Sequence, residues 1–165
     1  MTLFNRSLII AIATLLASSG EALATSTATG NLSVSVNVAN VCTISSPTLS
    51  FGSHTRGANH DVSANFSVAC TNGTTGVITL DEGANADSSS TPAAPVRRMA
   101  NGASYITYSL SAVSAGGAEW DALTGSEYVS SSSAASNVTV YGRIPTGQDV
   151  PAGDYTDTVL ATITY

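Results

Sequence analysis

The sequence NLSVSVNVANVC, residues 31–42, contains a strict alternation of apolar and polar residues. Leu32, Val34, Val36 and Val38 are separated by single small or polar residues, and a cysteine closes the stretch. Because successive side chains of a β-strand point to opposite faces, this pattern predicts a strand with one apolar and one polar face. The strand lies near the front of the chain, where most domains are poorly ordered, so its pairing partner is the first question.

The first 24 residues have the features of a cleaved export signal. A basic residue, Arg6, precedes a short apolar run at residues 8–17, and residues 22–24 (Ala-Leu-Ala) supply the small-x-small pattern of a signal-peptidase site. The run is too short to span a bilayer, and no later segment approaches transmembrane length. We therefore expect cleavage before Thr25 and an exported, soluble mature chain.

The composition excludes several classes of partner. Charged residues make up 10% of the chain and hydrophobic residues 43%, and there is no lysine. Loss of the export signal leaves four arginines and ten carboxylates. An acidic chain without a basic cluster is a poor candidate for binding nucleic acid or an anionic membrane. Such low charge fits a protein that is packed against others.

Two cysteines, Cys42 and Cys70, remain after export. In an oxidising compartment an even pair is most simply a disulfide, and closing a loop of this length stabilises a fold by about 3–4 kcal/mol. The alternative is a thiol nucleophile or a metal ligand, but there is no C-x-x-C spacing and no convincing partner histidine. We expect a Cys42–Cys70 disulfide.

The rest of the chain is typical of short strands and turns. β-branched and aromatic residues concentrate in further segments, which predict strands at residues 42–45, 48–51, 62–70, 77–80, 105–110, 137–141 and 155–165. Residues 84–95 and 130–136 have loop compositions, and no window of the mature chain has the apolar spacing of a helix. Glycine, serine and asparagine clusters between the runs predict one all-β domain, a sandwich or a barrel.

No pattern that is typical of catalysis or of metal binding is found. His54 and the His60-Asp61 pair match no zinc spacing, and the acidic residues 81–87 lack the order of a calcium loop. We interpret both as solvated loops. Serine is abundant, but no G-x-S-x-G motif occurs. The chain is therefore expected to be no enzyme and to need no metal or other cofactor.

Trp120 is flanked by Glu119 and Asp121, an arrangement that fits the wall of a sugar site. A lone tryptophan in a small β domain more often lies in the core, with solvated acidic neighbours. A secreted glycan-binding module that uses Trp120 is therefore an alternative function, and a secreted hydrolase ranks below it because paired carboxylates are recognised only in space.

Features along the whole mature chain resemble those of one family. They are residues 28–38, the two cysteines, Phe51-Gly52, Arg98-Met99, Tyr105 with Tyr108, Trp120, Tyr-Gly-Arg-Ile-Pro at 141–145 and AGDYTDTVLATITY at 152–165. The last two are the most specific. On these residues the chain resembles the spore coat protein U domain family, which includes the subunits of archaic chaperone–usher pili.

The resemblance implies an immunoglobulin-like β-sandwich that lacks one strand and is completed by a donor strand from the next subunit, a mode known as donor-strand complementation. It implies a donor segment at residues 25–39 and a sandwich domain at residues 40–165. The donor side chains would be Leu32, Val34, Val36 and Val38. The C-terminal strand, with Val159, Ala161, Ile163 and Tyr165, would contact a periplasmic chaperone that captures the terminal carboxylate.

The implied partners are identical or related pilin subunits, a periplasmic chaperone and an outer-membrane usher. The implied location is the periplasm and then the cell surface, where a fibre would support attachment and biofilm formation. A structural spore or cyst coat that is built by the same strand exchange is the nearest alternative.

Overall fold

The structure is a computed structural model that describes residues 25–165, and all regular secondary structure in this range is β. The strands are β1 (Cys42–Ser45), β2 (His60–Cys70), β3 (Thr75–Leu80), β4 (Arg97–Asn101), β5 (Ser104–Ser111), β6 (Ser126–Val129), β7 (Ser136–Ile144) and β8 (Ala161–Thr164). The predicted export signal and its cleavage site lie outside the described residues. Within the described range no helix has the length and apolarity to cross a membrane.

The strands form two sheets that face each other across one core. The larger sheet has the order β1-β2-β7-β5-β4 and the smaller has the order β6-β3-β8. All pairings are antiparallel, and the longest is between β2 and β7, which run from His60 opposite Ile144 to Val68 opposite Ser136. The prediction of an all-β, immunoglobulin-like sandwich is confirmed.

Alternation along the strands builds the core. In β2, Phe66 and Val68 point inward and are 6% and 0% exposed, while the intervening Ser67 is exposed. The smaller sheet supplies Ile78 and Leu80 from β3. Trp120 is 2% exposed and packs its ring edge-to-face against Phe66, with 5.9 Å between the ring centroids. Its indole N–H donates a 2.7 Å hydrogen bond to the Ile78 carbonyl, so Trp120 lies in the core and offers no face to a sugar.

The predicted disulfide is present. Cys42 opens β1 and lies directly opposite Cys70 at the end of β2, and the two sulfur atoms are bonded. The ladder continues one residue further, because the Thr71 N–H donates to the Val41 carbonyl at 2.9 Å. The bridge therefore joins the edge strand of the larger sheet to its neighbour.

Several strand predictions are corrected. Residues 25–41 contain no strand, residues 48–51 contain none, and only residues 161–164 of the predicted 155–165 strand form one. Alternation gives a segment two faces, but a strand also needs a hydrogen-bonded neighbour, and the described part of the chain supplies none to residues 31–38 or 48–51. Residues 156–160 form only scattered backbone hydrogen bonds, to Ala100, Ala84 and Asp81, and no continuous ladder. Conversely, β4 and β6 were not predicted, since neither has an alternating apolar pattern of useful length.

Candidate docking cleft

A cleft of about 1230 Å³ opens between the two sheets. Its floor is the sandwich core itself. The smaller sheet contributes Leu80 to this floor, and the larger sheet contributes six apolar or aromatic side chains: Phe66, Ile106, Tyr108, Leu110, Val140 and Ile144. Its two walls are residues 46–54, which follow β1, and residues 148–159, which precede β8. The volume exceeds the roughly 300–1,000 Å³ of ordinary small-molecule pockets, and the apolar floor suits an extended peptide.

The first wall packs tightly on β7. A Cβ atom added to Gly142 would lie 2.8 Å from Leu49 Cδ2 and 2.8 Å from Phe51 Cζ, so only glycine lets the wall approach this closely. Phe51 is 9% exposed and packs edge-to-face on Tyr108, with 6.1 Å between ring centroids. The glycine of the Tyr-Gly-Arg-Ile-Pro segment therefore allows the close packing of the first wall on β7.

The second wall has one bonded edge and one free edge. On the bonded edge, Thr156 exchanges two backbone hydrogen bonds with Ala100 (2.9 and 3.1 Å). The Thr158 carbonyl accepts a hydrogen bond from the Ala84 N–H (2.9 Å), and the Leu160 carbonyl accepts one from the Asp81 N–H (3.1 Å). The backbone groups of the alternate residues Tyr155, Asp157 and Val159 have no hydrogen-bond partner among residues 25–165.

The side chains of these alternate residues are half-buried towards the core, whereas Thr156, Thr158 and Leu160 are exposed. The free edge continues into β8, which is the last strand of its sheet and, among the described residues, pairs with β3 alone. We name the unpaired side of the backbone along residues 155–163 the open edge. Unpaired N–H and C=O groups beside an apolar cleft form a template for the addition of another strand.

Arg97 fixes the end of β3, at Leu80 and Asp81, beside the residues to which the second wall is bonded. Its side chain is fully buried, and its guanidinium donates to the carbonyls of Asp81 (2.8 and 2.6 Å), Leu80 (3.1 Å) and Trp120 (2.7 Å). It also forms a 2.9 Å ion pair with Glu119. Burial lowers the pKa of Arg97 against the opposing effect of Glu119, and burial raises the pKa of Glu119. Arg97 could not be predicted from the sequence, because the carbonyls that it binds lie 16 to 23 residues away along the chain.

The predicted site residues fall in two places. Leu32, Val34, Val36 and Val38 are 72–88% exposed and form no strand. Val159, Ala161 and Ile163 are half-buried on the core side of the open edge, as their alternation suggests. Tyr165 departs from that series, because it lies beyond the last residue of β8 and is 53% exposed.

The prediction that His54 and His60 both lie in solvated loops is wrong. His60 opens β2, and its ring stacks on that of His54 with 6.2 Å between centroids. Both ring nitrogens of His54 are buried without a hydrogen-bond partner among the described residues, since His54 lies in the wall that covers β7. These histidines are therefore not solvated loop residues.

The acidic residues 81–87 are also more than a solvated turn. The Asp81 carboxylate accepts a 2.9 Å hydrogen bond from the Leu160 N–H, and Asp87 forms a 2.8 Å ion pair with Arg98. Hydrogen bonds from the backbone and hydroxyl of Ser89, with the charge of Arg98, lower the pKa of Asp87. Within residues 25–165 no group of three or more metal-ligating side chains comes together.

Comparison with known proteins identifies relatives of this chain. The model of the Spore Coat Protein U domain matches residues 28–162. The Protein U of Myxococcus xanthus is 38% identical over 153 residues, which cover 84% of this chain and 86% of that protein.

Among solved structures, the fold is similar to a chain in the crystal structure of the CsuC–CsuE chaperone–tip adhesion subunit pre-assembly complex from archaic chaperone–usher Csu pili of Acinetobacter baumannii. The TM-score is 0.53 at 19% identity, and the match covers 78% of this chain but only 40% of the other. That likeness concerns the fold alone. Because the domain model spans most of the sequence and the Myxococcus relative aligns along nearly its whole length, the chain belongs to the spore coat protein U domain family.

Proposed function

We propose that the chain is a structural subunit of a surface fibre of the chaperone–usher type, in which each copy completes its cleft with the donor segment of a neighbouring copy. The observation that carries this proposal is the open edge, whose unpaired backbone groups lie beside an apolar cleft in the same domain. The donor is residues 25–39, which hold four exposed apolar side chains in strict alternation.

The chemistry of the donor and that of the cleft are complementary. A strand that pairs with the open edge directs alternate side chains onto the core, and Leu32, Val34, Val36 and Val38 have that spacing. Burying each of them contributes about 1.5–3 kcal/mol, and each backbone hydrogen bond adds about 0.5–1.5 kcal/mol. These gains must exceed about 1–2 kcal/mol per ordered residue, so docking requires the full length of the cleft.

The course of the chain at residues 39–41 favours a second copy as the acceptor. Val41 extends the β1–β2 ladder at Thr71, and the Thr71 hydroxyl donates a further 3.1 Å hydrogen bond to the Ala39 carbonyl. The Asn40 side chain accepts from the Thr74 hydroxyl at 3.2 Å. These residues continue the line of β1 and do not form the two-residue turn that a hairpin with β1 would need.

Before assembly, a periplasmic chaperone occupies the open edge and contacts Val159, Ala161, Ile163 and Tyr165, and an outer-membrane usher then exports the subunit. An exposed apolar cleft with an unpaired edge is an aggregation hazard, which gives such a chaperone its purpose. Support comes from the predicted export signal at residues 1–24 and from the likeness in fold to a chain of a chaperone–subunit complex. The fibre would serve attachment and biofilm formation.

Deletion of residues 25–38 tests the proposal. The mature wild-type chain, co-expressed with its chaperone and usher, should give a ladder of oligomers that resist SDS until they are heated. The truncated chain should bind the chaperone but give no ladder, because it accepts a strand and cannot lend one. A truncated chain that is stable alone and still polymerises would overturn the proposal.

A spore or cyst coat built by the same exchange is the second candidate, and 38% identity to Protein U of Myxococcus xanthus favours it. Immunogold labelling of the intact organism separates the two. Label along filaments supports the fibre, and label confined to a layer around resting cells supports the coat. No comparable observation favours the glycan-binding module, since Trp120 is buried.

A further inference from the structure

The open edge is held in place by the loop between β3 and β4, at residues 81–87, which we name the acidic loop. Two carboxylates of this region attach the loop to the wall that carries the open edge. Asp81 belongs to the loop, and Asp157 belongs to the wall. The proposed strand exchange does not by itself assign any purpose to them.

Asp157 is the centre of the first attachment. Its carboxylate accepts hydrogen bonds from the Tyr108 hydroxyl (2.7 Å), the Asn85 N–H (3.0 Å) and the Asn85 side-chain amide (3.1 Å). The same Asn85 amide donates to the Thr156 carbonyl at 3.1 Å. Gly83, with φ of +83°, leaves room for the carboxylate, because a Cβ atom there would collide with Asp157.

Asp81 makes the second attachment, three residues further along the wall. Its side chain accepts from the Leu160 N–H (2.9 Å) and the Gly83 N–H (3.0 Å), and its own N–H donates to the Leu160 carbonyl (3.1 Å). Its carbonyl is in turn fixed by the buried guanidinium of Arg97. The loop is therefore tied to the core on one side and to the wall on the other.

The hydrogen bonds that the backbone of the wall makes with Ala100 and with the acidic loop lie on the edge opposite the open edge. They use the backbone of Thr156, Thr158 and Leu160 and leave that of Tyr155, Asp157 and Val159 free. A wall held from behind in this way stays extended with its free amides presented before any strand docks. Preorganisation of a binding surface removes the entropy cost of ordering it at the moment of binding.

We infer that Asp157 and Asp81 are positioning residues that keep the open edge ready to accept the donor strand, and so set the rate of strand docking. This inference rests on the proposed function. A carboxylate that merely stabilised the domain would affect the docked and undocked states alike. A positioning residue acts mainly on the undocked state, since the donor strand itself holds the edge once it has docked.

The experiment measures docking of a labelled synthetic peptide of residues 25–39 by fluorescence anisotropy. The acceptor is the mature chain carrying Val36→Asp, which keeps its own donor segment from docking elsewhere. Adding Asp157→Asn should slow association about tenfold and change the dissociation rate less than twofold. Glu127→Gln, which removes an equal charge from the exposed face of β6, should leave both rates unchanged.

Tyr108→Phe removes one donor to Asp157 and keeps the carboxylate, so it should slow association by a smaller factor. It also serves as the second variant if the Asp157→Asn protein does not accumulate in soluble form. Equal association rates for Asp157→Asn or Tyr108→Phe and their parent would overturn the inference, and so would an effect confined to the dissociation rate. Failure of the peptide to bind the parent acceptor would instead overturn the proposed strand exchange.

Discussion

The guanidinium of Arg97 donates a 2.7 Å hydrogen bond to the backbone carbonyl of Trp120, and both side chains are buried. This bond joins β4 of the larger sheet to the segment that carries the core tryptophan. Together with the bonds to Leu80 and Asp81, it places a cation where the two sheets meet. A buried cation is tolerated when carbonyls and a carboxylate satisfy its donors.

Arg97→Met should lower the free energy of unfolding by about 3–5 kcal/mol, because it leaves the buried carbonyls of this cluster and the Glu119 carboxylate without their donor. Arg56→Met is the matched control. In its ion pair with Asp149, the Arg56 side chain is 64% exposed and the Asp149 side chain is 80% exposed, so loss of the pair should cost no more than about 1 kcal/mol. Urea denaturation of the mature chain measures both, and similar losses for the two variants would contradict the assigned importance of Arg97.

The strands that carry their own alternation could be predicted from the sequence, and those that depend on distant partners could not. Residues 62–70 were predicted and form most of β2, because one apolar face is sufficient to define that strand. Residues 97–101 have no such pattern. They form β4 because β5 pairs with them and because Arg97 bonds to carbonyls 16 to 23 residues away.

Less of the cleft than of the core could be predicted from the sequence. Alternation at residues 155–163 indicates which side chains face inward, but it does not reveal that one backbone edge lacks a partner in the part of the chain that the structure describes. Local composition predicts a solvated acidic loop, because it cannot show that Asp81 binds Leu160, which is 79 residues away. Long-range hydrogen bonds of this kind are visible only in three dimensions.

Removal of the disulfide should destabilise the domain without changing its fold. The Cys42→Ser, Cys70→Ser double variant should lose about 3–4 kcal/mol of unfolding free energy, since the closed loop of the unfolded chain is released. Denaturant unfolding of the oxidised wild type and of the double variant measures the loss. Wild-type protein treated with reductant is the control, and a stability equal to that of the oxidised form would show that the bond contributes nothing.

Stability should fall in acid, and Asp121 should account for part of the fall. A hydrogen bond from the Thr124 hydroxyl, with backbone N–H bonds from Thr124, Gly125 and Leu123, lowers the pKa of Asp121 from 3.8 to about 2. Because the pKa in the folded state lies below that of the unfolded chain, the stabilisation is complete above about pH 4 and is lost as the pH falls through 2.

Asp121→Asn should therefore unfold at a lower temperature than the wild type at pH 6, and the difference should shrink as the pH approaches 2. Thermal unfolding followed by circular dichroism between pH 2 and 6 measures this convergence. Glu127→Gln, whose exposed carboxylate accepts no hydrogen bond within residues 25–165, should run parallel to the wild type. A constant difference between Asp121→Asn and the wild type across the range would show that the carboxylate charge is not responsible.

The facing of the donor segment is tested by a pair of neighbouring substitutions. Val36→Asp should reduce the rate of assembly at least a hundredfold, because docking would bury an unpaired carboxylate against the apolar floor of the cleft. Ser35→Asp places the same charge on the opposite face of the strand and should assemble nearly as the wild type does. Electron microscopy and SDS-resistant ladders report assembly, and circular dichroism with binding of the chaperone confirms that each subunit is folded. If Val36→Asp assembles normally while Ser35→Asp does not, the strand docks with the other face inward; if both assemble normally, residues 31–38 are not the segment that the cleft receives.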